Sequence, residues 1–218
     1  MTMWLSDPTP LITVPVIPVL TIERAQDAVP LARALLAGGL PVAEITLRTP
    51  AALEAVRRIV AEVPDVIVAV GTVIKPVDIT HAVDAGADFL VSPGTSAELA
   101  RALVDAPLPA MPGCATASEA VTLAALGFPV LKFFPAEASG GARWLKAVAE
   151  PLPDIRFCPT GGVNGDNAAA YLALSNVVAV GGSWVAPPEA IAAGDFAGIT
   201  ARARIAAMLV GTHGRGNP

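Results

Sequence analysis

Eight short apolar runs alternate with stretches of helical periodicity, which predicts an α/β chain whose parallel strands close into a (β/α)8 TIM barrel. The runs are rich in β-branched residues and cover 14–20, 42–47, 66–73, 89–93, 110–115, 130–134, 155–159 and 177–181. Their starts lie 20–28 residues apart, room for one strand, one helix and two turns. They are continuously apolar, as suits parallel strands covered by helices. A doubly wound sheet is the competing arrangement, but evenly spaced units without a large insertion favour a ring. No linker or composition shift divides the 218 residues, so 1–218 is expected to form one domain, with about 210–218 a flexible tail.

Local signals place the helices. From 25 to 36, apolar residues at 28, 29, 31, 32, 35 and 36 form one stripe. Gly38-Gly39, Gly86 and Gly127 stand just before the second, fourth and sixth runs, where glycine supplies the left-handed position that ends a helix. Thr95-Ser96-Ala97-Glu98 and Thr116-Ala117-Ser118-Glu119 each fit the capping-box pattern and predict helix starts. The window 167–188 carries no charge, and its length alone would suggest a membrane span. Asn176, Gly181-Gly182, Ser183 and Pro187-Pro188 instead divide it into two soluble elements and a turn.

Composition excludes several functions. With 14 Lys and Arg against 19 Asp and Glu, the chain has no basic block for nucleic acid. Residues 1–8 lack the basic-then-apolar pattern of a signal peptide, so a cytoplasmic protein without a membrane partner is expected. Cys114 and Cys158 fall in separate strand-like runs and form no disulfide framework or thiol metal motif.

Chemistry concentrates at Lys132, which sits in the apolar stretch 128–136. Burial penalises the charged form of an amine. A neutral amine attacks ketones and aldehydes to give a Schiff base. A lysine whose stem packs while its head reaches water or a carboxylate is the competing reading. The other lysines, Lys75 and Lys146, lie in polar-edged segments, and Lys75 is the weaker nucleophile candidate.

In a barrel of this type the active site lies at the carboxyl ends of the strands. Glu44 and Arg48 end the second run, Thr72 the third, Thr160-Gly161-Gly162 the seventh and Gly181-Gly182-Ser183 the eighth. Glu44 and Arg48, four apart on one strand, are expected to share the interior face that Lys132 enters. Glu44 could then shuttle protons, and Arg48 could hold a carboxylate beside a ketone. A buried Glu44–Arg48 or Glu44–Lys132 ion pair with a structural role alone remains open. The two glycine pairs, with a helix amino terminus and Ser183, suggest a phosphate site and hence a phosphorylated keto acid. Two histidines, His81 and His213, are too few and too isolated for a zinc site, and no nicotinamide fingerprint follows the first run. Neither metal nor cofactor is expected.

These residues resemble a known family. Glu44-Ile45-Thr46-Leu47-Arg48-Thr49, Ser92-Pro93-Gly94, Met111-Pro112-Gly113-Cys114, Leu131-Lys132-Phe133-Phe134-Pro135-Ala136-Glu137, Arg156-Phe157-Cys158-Pro159-Thr160-Gly161-Gly162 and Gly181-Gly182-Ser183-Trp184 look like the 2-keto-3-deoxy-6-phosphogluconate (KDPG) aldolases. That family includes 4-hydroxy-2-oxoglutarate aldolases, and the resemblance runs nearly the whole chain in matching order. It implies a class I aldolase that cleaves KDPG to pyruvate and glyceraldehyde 3-phosphate, in a homotrimer. It also implies that Lys132 forms the imine and that Glu44 is the general acid/base, partly through water. Arg48 and Thr72 would hold the pyruvoyl end, with Pro93, Phe134 and Thr160 lining the site. Gly161, Gly162 and Ser183 would take the phosphate. The third run departs from the family in carrying Ala69 where a glycine is common. Alternatives are 4-hydroxy-2-oxoglutarate or the galactonate epimer as substrate, or a non-catalytic barrel serving as an assembly scaffold.

Overall fold

The computed structural model describes Thr9 and residues 12–209. Most of the amino-terminal segment, the expected tail at 210–218 and His213 lie outside the described residues. Each apolar run contains or overlaps a strand: β1 (Val16–Leu20), β2 (Val42–Thr46), β3 (Ile67–Gly71), β4 (Phe89–Val91), β5 (Ala110–Met111), β6 (Gly113–Cys114), β7 (Val130–Phe133), β8 (Arg156–Pro159) and β9 (Val180–Gly182), the last shifted towards the end of its run. All recorded pairings are parallel.

The strands form a curled parallel sheet in two hydrogen-bonded sections, β5-β4-β3-β2-β1-β9 and β6-β7-β8. Single parallel bridges, Phe157 with Val177 and Thr160 with Gly181, connect the second section to the β9 side. The fifth run supplies both β5 and β6 because it breaks at Pro112, which has no N–H to give a ladder. Its carbonyl still accepts from Lys132 N–H at 2.9 Å, so one run serves both sections.

Helices α1 (Ala28–Ala37), α2 (Ala52–Glu62), α3 (Pro76–Ala85), α4 (Ala97–Val104), α5 (Ala117–Ala125), α6 (Gly141–Val148), α7 (Ala168–Leu172), α8 (Pro188–Ala192) and α9 (Phe196–Ala207) fill the intervals. The charge-free window 167–188 resolves into α7, β9 and the first residue of α8. No helix of the described residues is long and apolar enough to cross a membrane. Thr116 and Glu119 make the expected capping box, with Glu119 N–H donating to Thr116 Oγ1 at 3.3 Å and Thr116 N–H to Glu119 Oε2 at 2.9 Å. The Thr95–Glu98 box does not form. Ser96 caps α4 by accepting from Leu99 N–H at 3.1 Å, because the Thr95 hydroxyl is committed elsewhere, to the Gly113 carbonyl.

Strand alternation decides which side chains meet the interior. Phe133 stacks on Trp144 of α6 with ring centroids 4.4 Å apart, and Phe157 meets the same indole edge-on at 5.6 Å. Both phenylalanines therefore face the helical layer. Their strand neighbours Lys132 and Cys158, paired in register across β7 and β8, face the opposite way. Ala69 is fully buried and sits in register with Glu44, so the departure noted in the third run packs within the sheet.

The outer layer is closely packed where α1 meets α9. A Cβ on Gly38 would lie 2.4 Å from Ala203 Cβ and 2.9 Å from the Thr200 carbonyl. Gly38 has an ordinary right-handed backbone, φ −86°, so the constraint there is purely steric. Gly38→Ala should lower stability in urea by about 1–3 kcal/mol through overpacking. Unchanged unfolding would refute this close approach of α1 and α9.

Candidate active site

The centre of the curled sheet holds a buried ion pair. Lys132 Nζ donates to Glu44 Oε1 at 2.8 Å and to Oε2 at 3.2 Å. Their side chains are 3% and 2% exposed. β2 and β7 belong to different sections of the sheet and are not neighbours, so the pair spans the interior. Gly71 makes the space, since a Cβ there would stand 2.1 Å from Glu44 Oε1. Lys132 Nζ also lies 5.6 Å from the centre of the Phe134 ring, within cation–π range. Cys158 shares this interior, and burial pushes its thiol up to about 12; Lys132 opposes that rise and Glu44 adds to it. Burial, then the Glu119 carboxylate, likewise pushes Cys114 up to about 12.

A pocket of about 240 Å³ opens above this pair. Six of the residues expected at the site line it: Arg48, Phe134, Thr160, Gly161, Gly162 and Ser183. Lys132 and Glu44 lie at buried positions outside its wall. Thr160 is buried, and its hydroxyl occupies space that a side chain on Gly181 would take, 2.3 Å from the position of such a Cβ.

Arg48 is not where strand alternation puts it. β2 ends at Thr46, and Arg48 follows in a tight turn in which its N–H donates to the Thr46 carbonyl at 2.8 Å. The guanidinium is consequently exposed at the mouth, not buried beside Glu44 and Lys132. Its Nε donates to Thr72 Oγ1 at 3.3 Å. Thr72 holds a left-handed backbone, φ +62°, a strained conformation for a β-branched residue. Bonds on either side fix it: Leu47 N–H to the Gly71 carbonyl at 2.9 Å and Val73 N–H to the Val91 carbonyl at 3.1 Å.

The expected helix amino terminus at the phosphate site also differs. α8 opens with Pro187 at the cap and Pro188 at its first position, and neither has an N–H. Pro188 contributes to the pocket wall instead. Backbone donors for an anion would come from the loops after β8 and β9.

Pro93 lies outside the pocket wall and is tied to Lys132 through Gly113, the register partner of Lys132. A Cβ on Gly113 would come within 2.4 Å of the Pro93 carbonyl carbon. Gly113 N–H donates to Ser92 Oγ at 3.0 Å, and Thr95 Oγ1 donates to the Gly113 carbonyl at 2.9 Å. With the Thr95 hydrogen so used, Ser92 Oγ is the donor in their 3.0 Å contact. Sequence patterns did not mark Ser92, Thr95 or Gly113 as a unit, because the contacts join different strands. Val19, Thr21 and Val163 also line the pocket and were likewise missed, while Gly182, of the second glycine pair, lines it as the phosphate reading expected. Register could have found Val19, which pairs with Glu44.

Lys75 is exposed at the start of α3, where Asp78 Oδ2 accepts from its N–H at 3.0 Å, and His81 is exposed on the same helix. Among the described residues no three His, Cys, Asp or Glu side chains converge as metal ligands.

A family model described as KDPG and KHG aldolase matches residues 9–202. The 2-dehydro-3-deoxy-phosphogluconate aldolase of Dickeya dadantii is 48% identical over 190 residues, 87% of this chain and 89% of that protein. A Legionella pneumophila KDPG aldolase, solved with pyruvate captured at low pH as a covalent carbinolamine intermediate, is 43% identical with a TM-score of 0.91. It covers 94% of this chain and 100% of its own. A Zymomonas mobilis 2-keto-3-deoxy-6-phosphogluconate aldolase solved with 3-phosphoglycerate is 43% identical with a TM-score of 0.87, covering 94% of this chain and 97% of its own.

Two measurements check the site as described. Glu44→Leu should cost about 3–5 kcal/mol by leaving the Lys132 charge buried alone, and adding Lys132→Met should restore wild-type stability or exceed it. If Glu44→Leu alone is neutral in denaturant titration, the pair is not buried as described. Both thiols should also resist a disulfide reagent at pH 8 in the folded protein and react on unfolding, since each stays protonated far above that pH. Rapid native labelling would contradict their burial.

Proposed function

The chain belongs to the KDPG and KHG aldolase family, and on that premise we propose that Lys132 is the Schiff-base residue of a KDPG aldolase. The enzyme is a carbon–carbon lyase that cleaves 2-keto-3-deoxy-6-phosphogluconate to pyruvate and glyceraldehyde 3-phosphate. The observation that carries the assignment of roles is the Lys132–Glu44 contact, an amine and a proton acceptor 2.8 Å apart in a water-poor interior below a pocket.

Lys132 Nζ, once it has passed a proton to Glu44, attacks the C2 ketone of the substrate. Glu44 returns a proton as the carbinolamine loses water. The iminium nitrogen then draws the electron pair of the C3–C4 bond, while the C4 hydroxyl proton leaves through water to Glu44. Glyceraldehyde 3-phosphate departs, C3 of the enamine takes up a proton, and hydrolysis frees pyruvate and Lys132. Arg48 at the mouth, braced on Thr72, suits the substrate carboxylate. Gly161, Gly162 and Ser183 suit the phosphoryl group, with Pro93, Phe134 and Thr160 holding the chain between.

Barrel closure, assembly and location belong to the same proposal. The two sections of sheet are taken as one (β/α)8 barrel in a single domain, supported by the split at Pro112 and the bridges beside β9. A homotrimer rests on the family resemblance, and the open groove of about 680 Å³ between α4 and α5, where Val121 and Leu126 stand exposed, offers apolar surface for a second copy. Cytoplasmic placement rests on the sequence.

Incubation with pyruvate and borohydride should leave a stable mass on the Lys132 peptide. A label on Lys75, or none, would defeat the assignment. Side-by-side assay of KDPG, its galactonate epimer and 4-hydroxy-2-oxoglutarate should give the highest kcat/KM with KDPG. A higher value for either other compound would replace it as the substrate.

A further inference from the structure

Glu137 sits immediately behind the loop assigned to the phosphoryl group. Its N–H donates to the Gly161 carbonyl at 3.1 Å, and the N–H of Ala136 donates to the Thr160 carbonyl at 2.8 Å. Its stem presses on Gly162, where a Cβ would come within 2.6 Å of both Glu137 Cβ and Cγ. Backbone and stem of Glu137 thus shape the Gly161–Gly162 loop, yet the side chain ends in a carboxylate. A negative charge free beside an anion subsite would repel the ligand.

The carboxylate is held away by α7. Tyr171, 1% exposed, donates its hydroxyl to Glu137 Oε1. Burial, and then the Glu137 contact, raise the phenol above its ordinary range, so it remains a donor at neutral pH. Gly141 leaves room for the contact, since a Cβ there would stand 3.2 Å from Tyr171 Oη and 3.4 Å from Glu137 Oε1. Asn167, one turn earlier, donates Nδ2 to the Gly162 carbonyl at 3.1 Å. The same short segment therefore holds both the loop and the carboxylate behind it.

We propose that Tyr171 is a positioning residue for phosphate recognition, tying back the Glu137 carboxylate so that the Gly161–Gly162 loop presents its amides to the phosphoryl group without an opposing charge. The inference rests on the assignment of that group to this loop. It selects for phosphorylated substrates without touching the reacting atoms.

The test compares KDPG with 2-keto-3-deoxygluconate, which differs only in lacking the phosphoryl group, and adds inorganic phosphate as an inhibitor. Tyr171→Phe should raise KM for KDPG about tenfold with kcat nearly kept, and weaken phosphate inhibition by a similar factor, through repulsion by one carboxylate released beside the phosphoryl group. KM for the unphosphorylated compound should move far less. Adding Glu137→Gln to Tyr171→Phe should recover most of the KDPG affinity by removing the released charge. An equal loss for both substrates, no loss for either, or no recovery in the double variant would overturn the proposal. Wild-type enzyme that binds both compounds equally and ignores phosphate would overturn the phosphate assignment, and the Tyr171 role with it. Borohydride labelling of Lys132 would be untouched by either result.

Discussion

A single buried contact, Lys132 to Glu44, sets the terms for the rest of the molecule. An amine and a carboxylate at 3% and 2% exposure are tolerated only as partners, because each alone would leave a charge without water. Partnership across the interior requires β2 and β7 to face one another, which a flat sheet cannot provide. It also requires Gly71, since any side chain there would fill the place of the Glu44 carboxylate. Curl, strand register and one glycine are thus consequences of the same electrostatic demand.

The buried pair and the exposed guanidinium are separated in depth. The buried pair has little water to compete for protons, which suits imine chemistry. Arg48 remains at the solvent edge, where a fixed cation can meet an incoming carboxylate without adding a third buried charge. Thr72, which braces it, holds a strained left-handed backbone at the same rim. Its hydroxyl can meet Arg48 only because bonds from Leu47 and Val73 hold the backbone on both sides.

Much of this was legible in the sequence, for identifiable reasons. Seven of the eight apolar runs contain strands and the eighth overlaps β9, because runs of that length and spacing have few other ways to be buried. Lys132 stood out as a lone amine within such a run. What failed were inferences that extended a local rule past the end of its element. Arg48 was assigned a strand position, but β2 stops two residues earlier and the chain turns. Thr95 matched a cap, yet a carbonyl on another strand took its hydroxyl. A helix amino terminus was expected at the anion site, but α8, which follows β9, has proline at its cap and at its first position and so lacks those two N–H donors. Contacts such as Tyr171 with Glu137, 34 residues apart, leave no periodic trace at all.

The supports that sequence could not show share one design. On one side of Lys132, the hydroxyls of Ser92 and Thr95 bind both the N–H and the carbonyl of Gly113, fixing the Pro93 loop to the register partner of the lysine. On the other, Asn167 and Tyr171 fix the Gly161–Gly162 loop and the residue behind it. In each case a glycine permits close approach and polar side chains from a second element supply the restraint. Glycine-rich loops free to move would pay in ordering entropy on every binding event. Restraint imposed by the folded protein removes that cost in advance. The loops proposed to meet substrate can then be small and unobstructed while their glycines remain held in place by neighbouring side chains.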